Sequence, residues 1–478
     1  MSFYRRARLS RIEAGRLARL ALPVLGAQLA QTGMGTVDVA MAGHVNATTL
    51  AAVSIGSSVW IPLVVFMVGT LMGLTPIVAQ HAGARTFGHI RPAVHQALWI
   101  ALVLGLASAA AVVAGGPAIF TLMNVPPDVA APATIYLDAV ACGLPAIAVY
   151  ETLRFFSDGI GHTRASLIFA LLGLAVNIVA DGVLMFGGPG LESLFGADLP
   201  AWLAGLPALG ALGCGIATSF SMALMAGALF VYTRRAAVYA PARTGRAWSA
   251  PVPALIREQL RIGMPVGVAI FAEVSLFTAI ALFLAGYGEV VISAHTVALN
   301  FSSVLFMLPL SLGMALTVRI GQARGRGKYR HARFVAWNGV LCALAVAVLI
   351  DAILIFGGQY AVRLYTDAPA VQALAVNLLL VAAIYQFSDA AQVSIAGALR
   401  GYKDTRLIMV VTVFAYWMVG LGTGYMLGEG WPGLFAGLGV YGYWIGLIVG
   451  LSVAALLLGW RLRHTADSRR GGRRPLVD

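Results

Sequence analysis

Seven acidic residues sit inside runs of apolar sequence: Asp38, Asp138, Glu151, Asp181, Glu273, Asp351 and Asp389. Insertion scales put an ionisable group in a bilayer at about 2.5–3.5 kcal/mol, so each one calls for a reason. A carboxylate in a low dielectric with no local cation either holds a proton or recruits a cation. That exchange is the chemistry of a cation-coupled carrier. Asp38 follows Gln28 and Gln31 on a stretch otherwise made of small and apolar residues. Asn177 and Asp181 are four apart and share a helical face; with Asp38 and Thr218 they can form an oxygen-rich pocket in the first half of the chain. In the second half, Glu273 and the pair Tyr385 and Asp389, again four apart, offer a second pocket, and Gln392 continues that face one turn on.

Other groups read more plainly. Asp138 and Asp351 lie near span ends and are expected to be solvated. Glu151 and Arg154, three apart, suit a structural ion pair, and Asp158 is expected to cap or solvate the end of its helix. His295 reads as a satisfied helix-packing residue, and His44, His81 and His89 as loop groups. Phe277, Phe301, Tyr385, Tyr416 and Trp417 can line a path for an aromatic cation through cation–π contacts, although such residues more often face lipid or pack helices. Gln31, Phe277 and Gln392 are the further candidates for a substrate cleft.

The elements that must position these groups follow from composition. Of 478 residues, 60% are apolar and 11% charged, against 45–50% and about 25% in soluble proteins, which argues against a water-soluble enzyme. A helix of about 20 apolar residues crosses a bilayer. On that criterion the chain has twelve spans, over 17–42, 51–79, 94–117, 130–158, 164–187, 208–232, 258–287, 291–320, 333–356, 371–400, 406–428 and 435–462. The 32 Lys and Arg exceed the 19 Asp and Glu, giving a net charge of +13. All the basic residues but Arg363 fall on one side: ahead of or at the start of span 1, in alternate loops and the span ends that border them, or in the tail. The other loops hold acids: Asp128, Glu192, Asp198, Glu289 and Glu429. The positive-inside rule then places both termini in the cytoplasm, and the +13 needs no nucleic acid to explain it.

One shift of 242 residues carries Pro23 onto Pro265, Ala27 onto Ala269, Thr75 onto Thr317, Gln80 onto Gln322 and Gly83 onto Gly325. The same shift carries GIGHTR (159–164) onto GYKDTR (401–406) and Gln31 onto Glu273. A single register over more than 140 residues points to a duplicated six-helix unit. Because six is even, both halves enter from the same side and are related by an axis along the membrane normal. The expected fold is an all-α integral membrane protein of twelve helices in two six-helix lobes. The expected divisions are a cytoplasmic segment (1–16), a first lobe (17–232), an inter-lobe loop (233–257), a second lobe (258–462) and a basic tail (463–478).

Cys142, Cys214 and Cys342 are far apart, each within an apolar run, and read as small buried hydrophobes. No Walker motif, Ser-His-Asp pattern or HExxH occurs, so neither ATP-driven transport nor enzymatic catalysis is expected. A lipid-linked saccharide flippase of similar architecture is the alternative. Its anionic pyrophosphate would want Arg or Lys deep in the spans, and the sequence offers none there.

LALPVLGAQLAQTGMGTVDVAMAGH (20–44), LAAVSIG (50–56), GLTPIVAQHAGA (73–84), LRFFSDGIGHTR (153–164), EVSLF (273–277) and ALRGYKDTR (398–406) resemble the multidrug and toxic compound extrusion (MATE) family in its NorM-type branch. The resemblance covers residues 15–463. It implies a central cleft and efflux of organic cations in exchange for Na⁺ or H⁺, by a monomer in a bacterial inner membrane, with no other cofactor. It also implies that Asp38, with Asn177, Asp181 and Thr218, couples to the ion in the amino-terminal lobe. Glu273, Tyr385 and Asp389 resemble the carboxy-terminal cation site, where Glu273 and Asp389 would hold Na⁺ in a sodium-coupled member. Many NorM-type members have Asn where this chain has Asp181, a feature closer to the DinF-type branch.

Overall fold

The computed structural model describes residues 3–195, 205–242, 248–431 and 435–467. Asp198, Arg243, Arg246, Arg469, Arg470, Arg473 and Arg474, used above for topology, lie outside these. The apolar runs fold as helices because in hydrocarbon every backbone N–H and C=O must be satisfied within its own segment. They are α1 (Phe3–Val45), α2 (Ala47–Leu71), α3 (Leu74–Ala84), α4 (Ile90–Leu122), α5 (Pro127–Ala141), α6 (Leu144–Ile160), α7 (Thr163–Phe195) and α8 (Ala211–Arg235). In the second half come α9 (Pro253–Ala285), α10 (Glu289–Gly325), α11 (Tyr329–Tyr365), α12 (Pro369–Gly401), α13 (Arg406–Val413), α14 (Gly422–Glu429) and α15 (Val440–Asp467). A π-helical turn, Phe414–Leu421, joins α13 to α14. The only strands among the described residues are β1 (Gly430–Trp431) and β2 (Phe435–Ala436), paired antiparallel.

Each expected span is helical over most of its length, the sixth starting at Ala211 and the last at Val440, after β2. Ten segments are long and apolar enough to cross a membrane, and the bent pair α5–α6 makes an eleventh. The twelfth, α1, falls short of that hydropathy because it carries Gln28, Gln31, Thr32, Thr36 and Asp38.

Two spans expected to be continuous are interrupted. The second breaks at Met72–Gly73, between α2 and α3, and the fourth at Cys142–Gly143, with a 44° bend between α5 and α6. Pro76 and Pro145 explain this, since each lies in the first turn after a break and has no N–H to give the preceding turn. The 242-residue shift places Ala315 and Val318 opposite Gly73 and Pro76, and Tyr385 and Phe387 opposite Gly143 and Pro145. There α10 and α12 run unbroken.

The chain forms two compact units. The amino-terminal unit comprises Gly26–Leu74 and Phe87–Gly263; the carboxy-terminal unit comprises Met1–Leu25, Thr75–Thr86 and Met264–Asp478. In the first, α8 packs on α5, α6 and α7, and α4 packs on α5 and α6. In the second, the repeat counterparts pack the same way: α15 on α12 and on the α13–α14 span, and α11 on α12. α10 and α12 approach each other closely at glycine. A Cβ on Gly397 would strike the backbone of Gly313, and Thr317 Oγ1 donates to the Gly397 carbonyl at 2.8 Å. Before α9, Trp248 stacks on His95 of α4, and Gln96 donates to the Ala250 carbonyl and accepts from the Val252 N–H.

Candidate functional site

In the amino-terminal unit α1 and α7 run side by side. A Cβ on Gly26 would meet Leu167, and one on Gly33 would meet Leu174, so seven residues along α1 match seven along α7. Continuing this register brings Asp38 between Asn177 and Asp181. Asn177 Nδ2 donates to Asp38 Oδ1 at 3.1 Å, and Thr218 Oγ1 of α8 donates to Asp38 Oδ2 at 3.1 Å. All four residues are buried, and neither carboxyl oxygen of Asp181 has a hydrogen-bond partner among the described residues. One ligand atom each from Asp38, Asp181 and Cys214 lie within 4.8 Å of one another. Buried polar atoms without partners are uncommon and call for an exchangeable occupant: a proton, a water or a cation. Cys214 was expected only as a packing residue; its spacing from Thr218, one helical turn, is what brings it in.

In the carboxy-terminal unit Tyr385, Asp389 and Gln392 share one face of α12 and are all buried. Neither Asp389 oxygen, nor Gln392 Oε1, has a hydrogen-bond partner among the described residues. Phe277 of α9 meets the Tyr385 ring edge-to-face at 6.2 Å, and Tyr385 meets Trp444 of α15 at 6.1 Å. Glu273 is half-buried on α9, and its charge is felt by both Asp389 and Arg400. The structure thus brings Asp38, Asn177, Asp181 and Thr218 together in one unit; in the other, Tyr385 and Asp389 share a face of α12 and Glu273 lies on α9. It places Gln31 elsewhere, as described below. Among the described residues, the tight three-ligand acidic group is Asp38, Asp181 and Cys214 rather than one built on Glu273 and Asp389.

The MatE family profile matches the chain twice, over residues 23–183 and 265–426. The two matches begin 242 residues apart (265 − 23), which is the shift read from the sequence. The chain belongs to the MatE family. The multidrug resistance protein PmpM of Pseudomonas aeruginosa is 41% identical over 457 residues, covering 95% of this chain and 92% of the relative. The multidrug resistance protein NorM of Vibrio cholerae is 40% identical over 451 residues, covering 94% and 95%. A crystal structure of MATE in complex with MaL6 superposes with a TM-score of 0.82 at 18% identity, covering 95% and 96% of the two chains. The eukaryotic MATE transporter AtDTX14 does so at 0.81 and 20%, covering 96% and 98%. This MatE chain is thus a multi-pass membrane transporter of the NorM type, not an enzyme.

Some parts of this MatE chain depart from the sequence reading. Arg154, counted at a span end, is buried and organises a polar network. Its Nη1 donates to Gln31 Oε1 at 2.6 Å and to both Glu151 oxygens at 3.2 and 3.3 Å, and its Nη2 donates to Gln28. Gln31 Nε2 in turn donates to Glu151 at 2.6 Å. The Glu151–Arg154 ion pair therefore holds, and Gln31, offered above as a cleft candidate, ties α1 to α6 through both of its members. Asp158 is not solvated: it is buried, accepts from Ser166 at 2.7 Å and lies 3.9 Å from Arg154 Nε. Pairing and glutamine donors are what make a buried guanidinium tolerable. No spacing rule would have joined Gln28 and Gln31 to a residue more than 120 positions away. Arg400 is buried too. His295 is not satisfied by hydrogen bonds; neither ring nitrogen has a partner among the described residues, and the ring packs edge-on to Trp444 at 5.8 Å. Cys142 is exposed rather than buried. Near the start of α1, Glu13 is buried beneath Arg319 and is 3.4 Å from His331.

Proposed function

We propose that this chain exports organic cations in exchange for Na⁺ or H⁺ by alternating access. The observation that carries the reading is a buried carboxylate with unpartnered oxygens in each unit: Asp181 beside Asp38, and Asp389. Two carboxylates in contact can share one proton, the arrangement that like charges at short range impose. Sodium, a hard cation, prefers oxygen donors to the thiol beside this pair, so the Asp38–Asp181 pair fits a proton. The donors at Glu273, Tyr385 and Asp389 are all oxygens and suit either ion. Drug and ion would stabilise opposite conformations, because a ligand shifts a two-state equilibrium only through differential affinity. The relatives named as multidrug resistance proteins support a drug substrate. The two arginines buried among the described residues do not make an anion site: Arg154 is consumed by Glu151, and Arg400 lies within the electrostatic reach of Glu273.

In this reading the lobes are residues 17–232 and 258–462. The working unit is a monomer in a bacterial inner membrane, with both termini cytoplasmic. Transport in proteoliposomes tests it. Ethidium should move uphill when a pH or Na⁺ gradient is imposed, and Asp38→Asn and Asp389→Asn should each abolish uphill movement while the protein stays folded. Transport indifferent to both gradients, or full uphill efflux by both variants, would overturn it.

A further inference from the structure

A cavity of about 890 Å³ opens at one end of the amino-terminal unit, where the start of α4 meets the end of α8. Arg91, Arg234 and Arg235 line it, with Phe87, Phe230 and Val231 on its apolar side, and no carboxylate is among its lining residues. Arg234 lies over the Phe230 ring, Cζ 5.3 Å from the centroid, which orients its guanidinium plane. The cavity also sits at the amino-terminal, positive end of the α4 dipole. It therefore favours an anion.

The rest of α8 says which kind of anion. Ile216, Phe220 and Val231 are exposed apolar residues on this helix. At 3.6 residues per turn they fall within the same sector of about 100° as Arg234 and Arg235. A lipid-facing stripe thus runs along the helix and ends in two guanidinium groups one turn beyond Val231. Phe220 also walls a wholly apolar groove of about 540 Å³ between α7 and α8, lined by Ala175, Val179 and Val183 among others. A free phosphate would use the arginines and leave the stripe and the groove unexplained. A phospholipid uses all three, and basic pockets between helices at the membrane surface are suited to anionic headgroups.

We propose that this cavity binds the headgroup of an anionic phospholipid, its phosphate held by Arg91, Arg234 and Arg235 and an acyl chain laid along Val231, Phe220 and Ile216. Bidentate guanidinium–phosphate pairing supplies the recognition. The site is separate from the Asp38 pocket, and the inference does not depend on which ion or drug is transported.

Native mass spectrometry of the full chain, released from micelles containing equal phosphatidylglycerol and phosphatidylcholine, tests it. The parent should retain one phosphatidylglycerol in preference to phosphatidylcholine. In Arg234→Ala/Arg235→Ala that preference should fall by about 30-fold, from two lost charges near the surface. Arg91→Gln should lower it by about 5-fold. Arg326→Ala/Arg330→Ala removes two exposed arginines of the other unit and should leave it unchanged. Millimolar inorganic phosphate and glycerol 3-phosphate, which share the anion but lack the chains, should fail to displace the lipid. Equal retention of the two lipids overturns the proposal, as does unchanged preference in the Arg234/Arg235 variant or an equal loss in the Arg326/Arg330 variant. Displacement by the water-soluble phosphates would overturn the lipid assignment.

Discussion

Replacing Arg154 with methionine should be among the most damaging single changes in the amino-terminal unit, and the structure says by how much. The guanidinium is buried, donates to both Glu151 oxygens and to the side-chain carbonyls of Gln28 and Gln31, and stands 3.9 Å from Asp158. Methionine keeps much of the volume but leaves Glu151 and Asp158 buried with no cation between them. Breaking a buried ion pair by removing one member costs about 3–5 kcal/mol. Removing Glu151 as well, as Arg154→Met/Glu151→Met, takes away one of the stranded charges. What remains is chiefly the loss of the glutamine hydrogen bonds, at about 1 kcal/mol each. The double variant should therefore recover at least half of the loss. Equilibrium unfolding in mixed detergent micelles, followed by tryptophan fluorescence, measures both. An Arg154→Met protein within about 1 kcal/mol of the parent would refute the argument; so would a double variant no more stable than the single one. The functional readout follows from geometry, since Gln31 lies seven residues before Asp38 on α1, about 10 Å along the axis. Loosening Gln31 should weaken ion coupling in liposomes even in the fraction that remains folded.

Two further changes probe the carboxy-terminal unit. Gly397→Val should cost about 2–3 kcal/mol and lower the yield of folded protein in detergent-solubilised membranes, because its side chain would strike the Gly313 backbone. Gly357→Val, where an added Cβ meets only Ile353 Cγ2 at 3.9 Å, should show neither effect in the same assay. Glu13→Ala leaves Arg319 without its buried carboxylate and should expose the start of α1 to limited proteolysis, whereas Arg16→Ala, removing a largely exposed partner of the same acid, should not.

How much of this was legible in the sequence depends on the reach of the interactions. Helix positions came through because each span satisfies its own backbone and needs only local apolarity. The duplication was legible because Pro23 and Pro265, Thr75 and Thr317, and Gln80 and Gln322 kept one register. Asp181 joined Asn177 by the i, i+4 rule, and Tyr385 joined Asp389 the same way. Joining either pair to Asp38 or Glu273 was open to the sequence only as a possibility, which the family resemblance sharpened, because it depends on which helices pack together. The Arg154 network was missed for the same reason: an arginine at a span end looks solvated until a second helix brings two glutamines to it. Asp158 went wrong on burial, which no local pattern reports near a helix end.

The interruptions at Gly73 and Gly143 have a mechanical meaning. A continuous helix resists bending along its length, whereas one with a missing hydrogen bond and a proline yields at that point. After the duplication the two copies are therefore unequal in compliance: the second and fourth spans of the first copy carry a joint, and their counterparts α10 and α12 run unbroken at the matching positions. Chains made from two first copies or two second copies would keep every helix and much of the packing, but would have all of the joints or none. Such chimeras would separate what the repeat contributes to folding from what the asymmetry of stiffness contributes to motion.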